Sequence, residues 1–204
     1  MWTAEPVRSE TEAYNLAGAR MSFKTEQVIP IYVTALGSEV ASKAGEIADG
    51  MLMSAGFSIP FVQNCLKKFR EGAAKAGRDT SALRTAAFIH FSVSEDGMSA
   101  REDVRRKLAF LFRNRLMAEN IASSGISIDQ DAIVDAVAAR DLDKAATYVP
   151  DEAIEAFGVA GTVADCKKYL DAYVATGLDE PVIQVAGDRA AKTLALQVIR
   201  EFTG

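Results

Sequence analysis

Histidine and cysteine are scarce in this sequence: its 204 residues include one His, His90, and two Cys, Cys65 and Cys166. Zinc sites need three or four clustered ligands, and a catalytic triad needs a base beside its nucleophile. No metal centre is expected, and triad chemistry lacks its material. Neither cysteine has a CxxC partner, so free thiols in a reducing compartment are the expectation. A basic surplus is missing as well, since 23 Lys and Arg stand against 28 Asp and Glu for a net charge of −5. That argues against nucleic acid and against a polybasic membrane patch as partners. No apolar run reaches the length of a membrane span. The start, Met1-Trp2-Thr3-Ala4-Glu5-Pro6, is neither basic nor apolar, unlike a secretory leader. The chain shows no internal repeat. A cytoplasmic protein acting on a small molecule is the expectation.

What is present is an alternation of apolar runs and amphipathic helices. Ile29 to Leu36 is β-rich and closed by Gly37, after which Val40, Ala44 and Ile47 recur at helical spacing up to Asp49-Gly50. A second apolar run spans Met51 to Ala55, and a third spans Thr85 to Val93. Between them Phe61, Cys65, Leu66, Phe69 and Ala73 mark one helix face, with Gly77 as its stop. Continuous apolar runs of this kind are buried parallel strands, covered on both faces. The fourth run, Pro181 to Ala186, follows a helix opened by Thr162 and Asp165 at capping-box spacing. An amphipathic helix with Ala191, Leu194, Val198, Ile199 and Phe202 closes the chain. Nearly ninety residues separate the third and fourth strands, and they read as helical: Ala100 to Ser123, Asp129 to Arg140, and shorter pieces around Leu142 and Asp151.

The expected class is α/β, with parallel β/α units of TIM-barrel type and a long helical insertion before the last strand. The chain is read as one domain: residues 1–28 a linker or hairpin, 29–99 three β/α units, 100–158 the insertion, and 159–204 the last unit. Strands near 29–36, 51–55, 85–93 and 181–186 should be adjacent in that order. A complete (β/α)8 barrel needs eight strands and about 250 residues, so four strands are half of one.

The stretch from Ile29 to Gly37, followed by Ala44-Gly45-Glu46-Ile47-Ala48-Asp49-Gly50, resembles the "PIYVAALGP … AGEIADG" segment of the luciferase-like oxidoreductases. Phe157 to Thr162, Leu170, and Gly177 to Val182 are similar to that family's "GTPEDC … L … AGVDEPVL" ending. Trp2, Glu5-Pro6, Tyr14, Leu16 and Gly18-Ala19 look like its linker before the fifth strand. The resemblance is strongest to the deazaflavin (F420)-dependent methylenetetrahydromethanopterin reductase branch. It implies that the four strands are strands five to eight of a barrel whose N-terminal half is absent here. It also implies hydride transfer with F420. An FMN-dependent luciferase-like monooxygenase is one alternative, and a non-catalytic flavin-binding or structural relative is another. The partner would be the missing half or a second copy.

The candidate cofactor site is the turn Ala35-Leu36-Gly37-Ser38, where a helix N-terminus offers unpaired N–H groups to a phosphate. The resemblance places the cofactor phosphate there, on backbone amides. The family often has a second Gly or a Pro where this chain has Leu36 and Ser38. Met53 and Ser54, at the end of the second strand, are the other candidates, because C-terminal strand ends face the active side of such barrels. Catalytic residues are not assigned. His90, flanked by Phe88, Ile89 and Phe91, reads as a hydrogen-bonded core residue. Arg105, Arg106, Lys107, Arg113 and Arg115 read as a solvated helix face.

Overall fold

In the computed structural model residues 5–203 are described; Trp2, part of the N-terminal resemblance, lies outside them. The chain divides into two compact units, Met1–Ile31 and Tyr32–Gly204. Within the first, β1 (Val7–Glu10) and β2 (Asn15–Ala19) form an antiparallel hairpin. Thr11 shapes its turn: the Oγ1 accepts from the Ala13 and Tyr14 amides, while Thr11 N–H donates to Tyr14 O.

The second unit begins with β3 (Tyr32–Ala35), α1 (Ser38–Ile47), β4 (Gly50–Met53), α2 (Ile59–Lys75) and β5 (Arg84–Val93). The insertion follows as α3 (Met98–Phe112), α4 (Ala118–Ser124), α5 (Gln130–Ala138), α6 (Leu142–Thr147) and α7 (Asp151–Phe157). Then come β6 (Val159–Gly161), α8 (Val163–Val174), β7 (Glu180–Val185) and α9 (Arg189–Thr203). The sheet is parallel throughout, and the four expected strands are adjacent in the expected order: β3 on β4, β4 on β5, β5 on β7.

Register separates the two faces, because side chains alternate along a strand. On one face Ala35, Met51, Met53, Ala87, Ile89, Phe91 and Val93 are each at most 2% exposed. They pack with Ala41, Ala44, Phe61, Cys65, Leu66 and Phe69 of α1 and α2 into the core. The other face carries Thr34, Leu52, Phe88, Val182 and Gln184, with Thr34 in register with Leu52, Phe88 with Val182, and His90 with Gln184. There Thr34 and Gln184 are exposed, and Leu52, Phe88 and Val182 are half-buried. Among the described residues β3 pairs only with β4, and β6 and β7 each pair only with β5, so three strands have a single partner. Pro181 lies in the edge strand β7; because the Ala186 amide donates to Phe91 O, its missing N–H turns to the unpaired side.

Helices α1 and α2 cross with their backbones in contact. A Cβ on Gly45 would stand 2.0 Å from Phe69 O, and one on Gly72 would stand 1.9 Å from Ser42 O. Any side chain at either position would push the helices apart. The Gly45 of the "AGEIADG" stretch thus serves packing.

The insertion runs across the C-terminal ends of the strands. The space beside Gly56, in the turn after β4, is bounded by Leu108, Leu111 and Met117, and Asn120 pins α4 to the same turn. Its helices are tied together by cations of α3: Arg105 pairs with Asp151, Arg101 with Glu155 at 3.1 Å, and Arg106 with Asp143. Of the basic face expected to be solvated, Arg106, Lys107, Arg113 and Arg115 are exposed as expected, and Arg105 is half-buried beside Asp151. Edge-to-face packing of Phe112 on Phe157, with ring centroids 5.0 Å apart, contributes about 1 kcal/mol beyond area burial.

Several expectations shift. The first strand starts at Tyr32 instead of Ile29, since Pro30 has no N–H for a ladder and its partner β4 offers only four residues. A fifth strand, β6, joins the sheet by pairing with Phe91–Val93; three residues carry too little pattern to be read in advance. The helix expected from Ala100 to Ser123 breaks after Phe112, because the Asn114 side chain accepts from Leu116 N–H and starts a short 3-10 turn. The box at Thr162 forms as expected, with each side chain bonded to the other residue's amide.

Candidate functional site

Where a parallel strand ends and its helix begins, the backbone turns sharply and the first helical amides have no acceptor within the helix. Ala35-Leu36-Gly37-Ser38 is such a turn. Ala35 is fully buried on the core face, so only its backbone can reach a ligand, and Leu36 is half-buried against the core. Gly37 is the N-cap of α1, extended at φ −158°, with no side-chain cap hydrogen bond. Ser38 is the first helical residue. Its hydroxyl donates to Glu119 Oε1 at 2.6 Å, across 81 residues of sequence. The other carboxylate oxygen, Glu119 Oε2, is the single nearby heavy atom facing Gly37, 3.6 Å from where a Cβ would stand.

The second candidate pair behaves differently. Met53 is fully buried in the core and Ser54 is half-buried. The N-cap of α2 is Ser58, four residues beyond Ser54. Asn120, fully buried, closes this corner: its Oδ1 accepts from Ser58 N–H at 2.9 Å and its Nδ2 donates to Gly56 O at 2.8 Å. Behind it the Tyr173 hydroxyl donates to Phe57 O at 2.8 Å, and burial raises its pKa. The structure therefore brings the ends of β3 and β4 under one short helix, α4. Glu119 and Asn120 were not legible as site residues, because no local pattern marks them inside a helical insertion.

A concavity of about 730 Å³ lies at the ends of β5 and β7 beside the start of α9. Ser92, Glu95, Asp103, Asp188, Thr193 and Gln197 line it, and no Lys or Arg does. Ser92 donates to Asp103 Oδ2 at 3.0 Å. A Cβ on Gly187 would stand 2.7 Å from the Ala191 Cβ. Three carboxylates and no cation disfavour an anion here.

The remaining candidates are inert in this structure. Burial, and then Lys107, push the His90 pKa down to about 4, so the ring is neutral at pH 7. His90 is buried as expected, yet its Nε2 has no hydrogen-bond partner, unlike the satisfied core residue anticipated. Burial raises both thiols to about 12, aided by Glu119 at Cys65 and Asp165 at Cys166. Neither is a nucleophile at neutral pH. Among the described residues no cluster of three His, Cys, Asp or Glu could hold a metal, and no helix is long and apolar enough to cross a membrane.

Comparison with known proteins gives this geometry a family. Residues 1–180 match the family described as luciferase-like monooxygenase. Over 203 residues the chain is 29% identical to the 5,10-methylenetetrahydromethanopterin reductase of Methanolobus tindarius, covering 96% of this chain and 61% of the relative. It is 32% identical over 158 residues to an F420-dependent glucose-6-phosphate dehydrogenase of Gordonia bronchialis, covering 76% of this chain and 46% of that one. The solved coenzyme F420 dependent tetrahydromethanopterin reductase from Methanopyrus kandleri superposes with a TM-score of 0.82 at 26% identity, over 98% of this chain and 59% of that structure. The chain thus spans 46% to 61% of the length of these relatives. It belongs to the luciferase-like monooxygenase family.

Proposed function

We propose that the chain supplies strands five to eight of a (β/α)8 barrel in an F420-dependent oxidoreductase, with the N-terminal four units provided from outside these 204 residues. The observation that carries this reading is the asymmetry of the sheet. One face is a sealed core, while the other exposes Thr34 on β3 and Gln184 on β7, two strands that each have a single partner. A closed barrel covers that inner face and pairs both edges. The partner is then the complementary half-barrel or, failing that, a second copy. In this reading residues 1–28 lead into the barrel, and 29–99, 100–158 and 159–204 are units of one partial domain. A reducing, cytoplasmic setting suits its two free, buried thiols.

Within that assembly the β3–α1 turn would hold the anionic tail of the deazaflavin. The amides of Gly37 and Ser38 would donate to the phosphate, and the absence of a Cβ on Gly37 leaves room for its approach. The backbone at Met53 and Ser54 would bound the same groove. When bound, the deazaflavin carries the hydride to or from a small-molecule substrate. This chain's own part is to orient the cofactor and keep water off its tail through α4 and the insertion. The ring-facing wall belongs to the other four units, so the chain alone is not expected to turn over substrate.

The test is to titrate the purified chain, alone and with a co-expressed N-terminal half from a relative, with F420 and with FMN, and then to assay reduction. Binding of F420 through the turn, with turnover only in the reconstituted pair, is the expected result. Preference for FMN would move the assignment to the monooxygenase side of the family. A monomer that turns over with neither half nor second copy would overturn the half-barrel reading.

A further inference from the structure

We propose that the concavity at the ends of β5 and β7 is an interaction surface, a socket for a cationic side chain, Arg or Lys, carried by the complementary half-barrel. This rests on the half-barrel reading above. The first support is position. The Ala186 amide donates to Phe91 O, so the amides of Ile183 and Val185, an odd number of residues away, turn to the side of β7 that has no partner. In a barrel the strand added on that side runs parallel to β7. Its C-terminal end then lies level with Ala186, and the loop that follows it emerges beside Gly187 and Asp188, which line the concavity.

The second support is charge. Glu95, Asp103 and Asp188 line the concavity, with no Lys or Arg among them. Asp103 accepts from Ser92 at 3.0 Å and Asp188 from the Ala191 amide at 2.9 Å, and each keeps a second oxygen. Asp103 Oδ2 also stands 3.2 Å from the Cβ position of Gly187, so α3 brings its carboxylate up to the turn after β7. Like charges gathered without a counter-charge favour the arrival of a cation. The third support is the kind of cation that fits. Among the described residues no group of three such ligands could hold a metal ion, so the carboxylates are too spread for one. A guanidinium fork or a flexible ammonium spans them better. Ala191 and Leu194 give the concavity an apolar wall, along which the methylene stem of either side chain can lie while its head meets the acids.

The experiment uses the full chain in two arms. In the first, argininamide is the probe, read by backbone amide chemical shifts: it should move Ser94, Glu95 and Asp188, and uncharged acetamide should not. In the second, affinity for the N-terminal half of a relative is measured. Glu95→Lys, at an exposed position, should weaken that association by about tenfold, the effect of losing one close interfacial charge pair. Rising salt should weaken the wild-type association in the same direction. Glu152→Lys makes the same charge change on α7, outside the concavity, and should leave affinity at the wild-type value. Dispersed spectra show that each variant is folded. Equal affinity in wild type and Glu95→Lys would refute the socket while leaving the half-barrel standing. An equal loss in both variants would refute it too, since net charge alone would account for the change, and so would the absence of any shift with argininamide. No association of the wild type with the N-terminal half would remove the half-barrel reading, and the socket with it.

Discussion

Gly37 and Gly45 lie eight residues apart on the same β/α unit, and a methyl group would meet opposite fates at them. At Gly45 it would sit 2.0 Å from Phe69 O, inside the backbone of the crossing helix. At Gly37 it would find only the Glu119 carboxylate, 3.6 Å away, at an ordinary contact distance. Neither glycine is explained by backbone conformation, since Gly37 is extended at φ −158° and Gly45 is helical. The first leaves room that the fold does not use, and the second has none. Unused room at a strand end is what a binding site needs; lack of room inside a helix crossing is what a core needs.

The sharpest way to break that contrast is to fill both places. Gly72→Ala, the counterpart of Gly45 across the crossing, should destabilise the chain by about 3 kcal/mol or more, because backbone and not a flexible side chain blocks the Cβ. A denaturant midpoint close to wild type would show the crossing to be loose. Next in size is His90. Its folded pKa of about 4 lies below the ordinary 6.5, so above pH 6.5 the ring is neutral in both states and costs nothing. As the pH falls from 6.5 toward 4 the unfolded chain takes up a proton that the folded chain refuses. Stability should fall by about 1.4 kcal/mol per pH unit, roughly 3 kcal/mol in all. His90→Gln should abolish that portion of the slope in pH-dependent unfolding.

Asn120→Ala should cost about 2 kcal/mol by leaving the Ser58 amide and the Gly56 carbonyl without their buried partner. Faster hydrogen exchange at Ser58 should accompany it, and unchanged exchange would mean that α4 is not what closes this corner. The smallest stability effect belongs to Gly37→Ala. Unfolding should stay within about 0.5 kcal/mol of wild type, while F420 affinity drops by about tenfold as the methyl group takes the ligand's space. If Gly37→Ala unfolds the chain as Gly72→Ala does, the two glycines are the same kind of residue and the contrast is gone.

Much of this architecture was legible in the residues. The runs ending at Leu36, Ala55, Val93 and Ala186 became four parallel strands in the expected order, displaced by a residue or a few at their ends. The box at Thr162 and Asp165 is local chemistry, needing only the two side chains and the first turn of α8. The strand β6 and the break at Asn114 were not legible, since one is three residues long and the other depends on a single side chain. Of the candidate site, the turn at Gly37 was found by its position after a strand. Glu119, which accepts from Ser38 there, was not, because 81 residues separate the two and nothing between them marks the meeting.

The sequence by itself determined where the four longer parallel strands and most of the helices lie, because periodicity and end signals act within a dozen residues. It also carried the resemblance to a barrel family through the order of its short motifs. Only the tertiary structure decided which glycines are packed and which are open, which carboxylates the cations of α3 pair with, and that Glu119 meets Ser38. Those outcomes depend on pairs of residues far apart in the chain. Their partners are chosen by how the helices cross the sheet, and no local pattern records that choice.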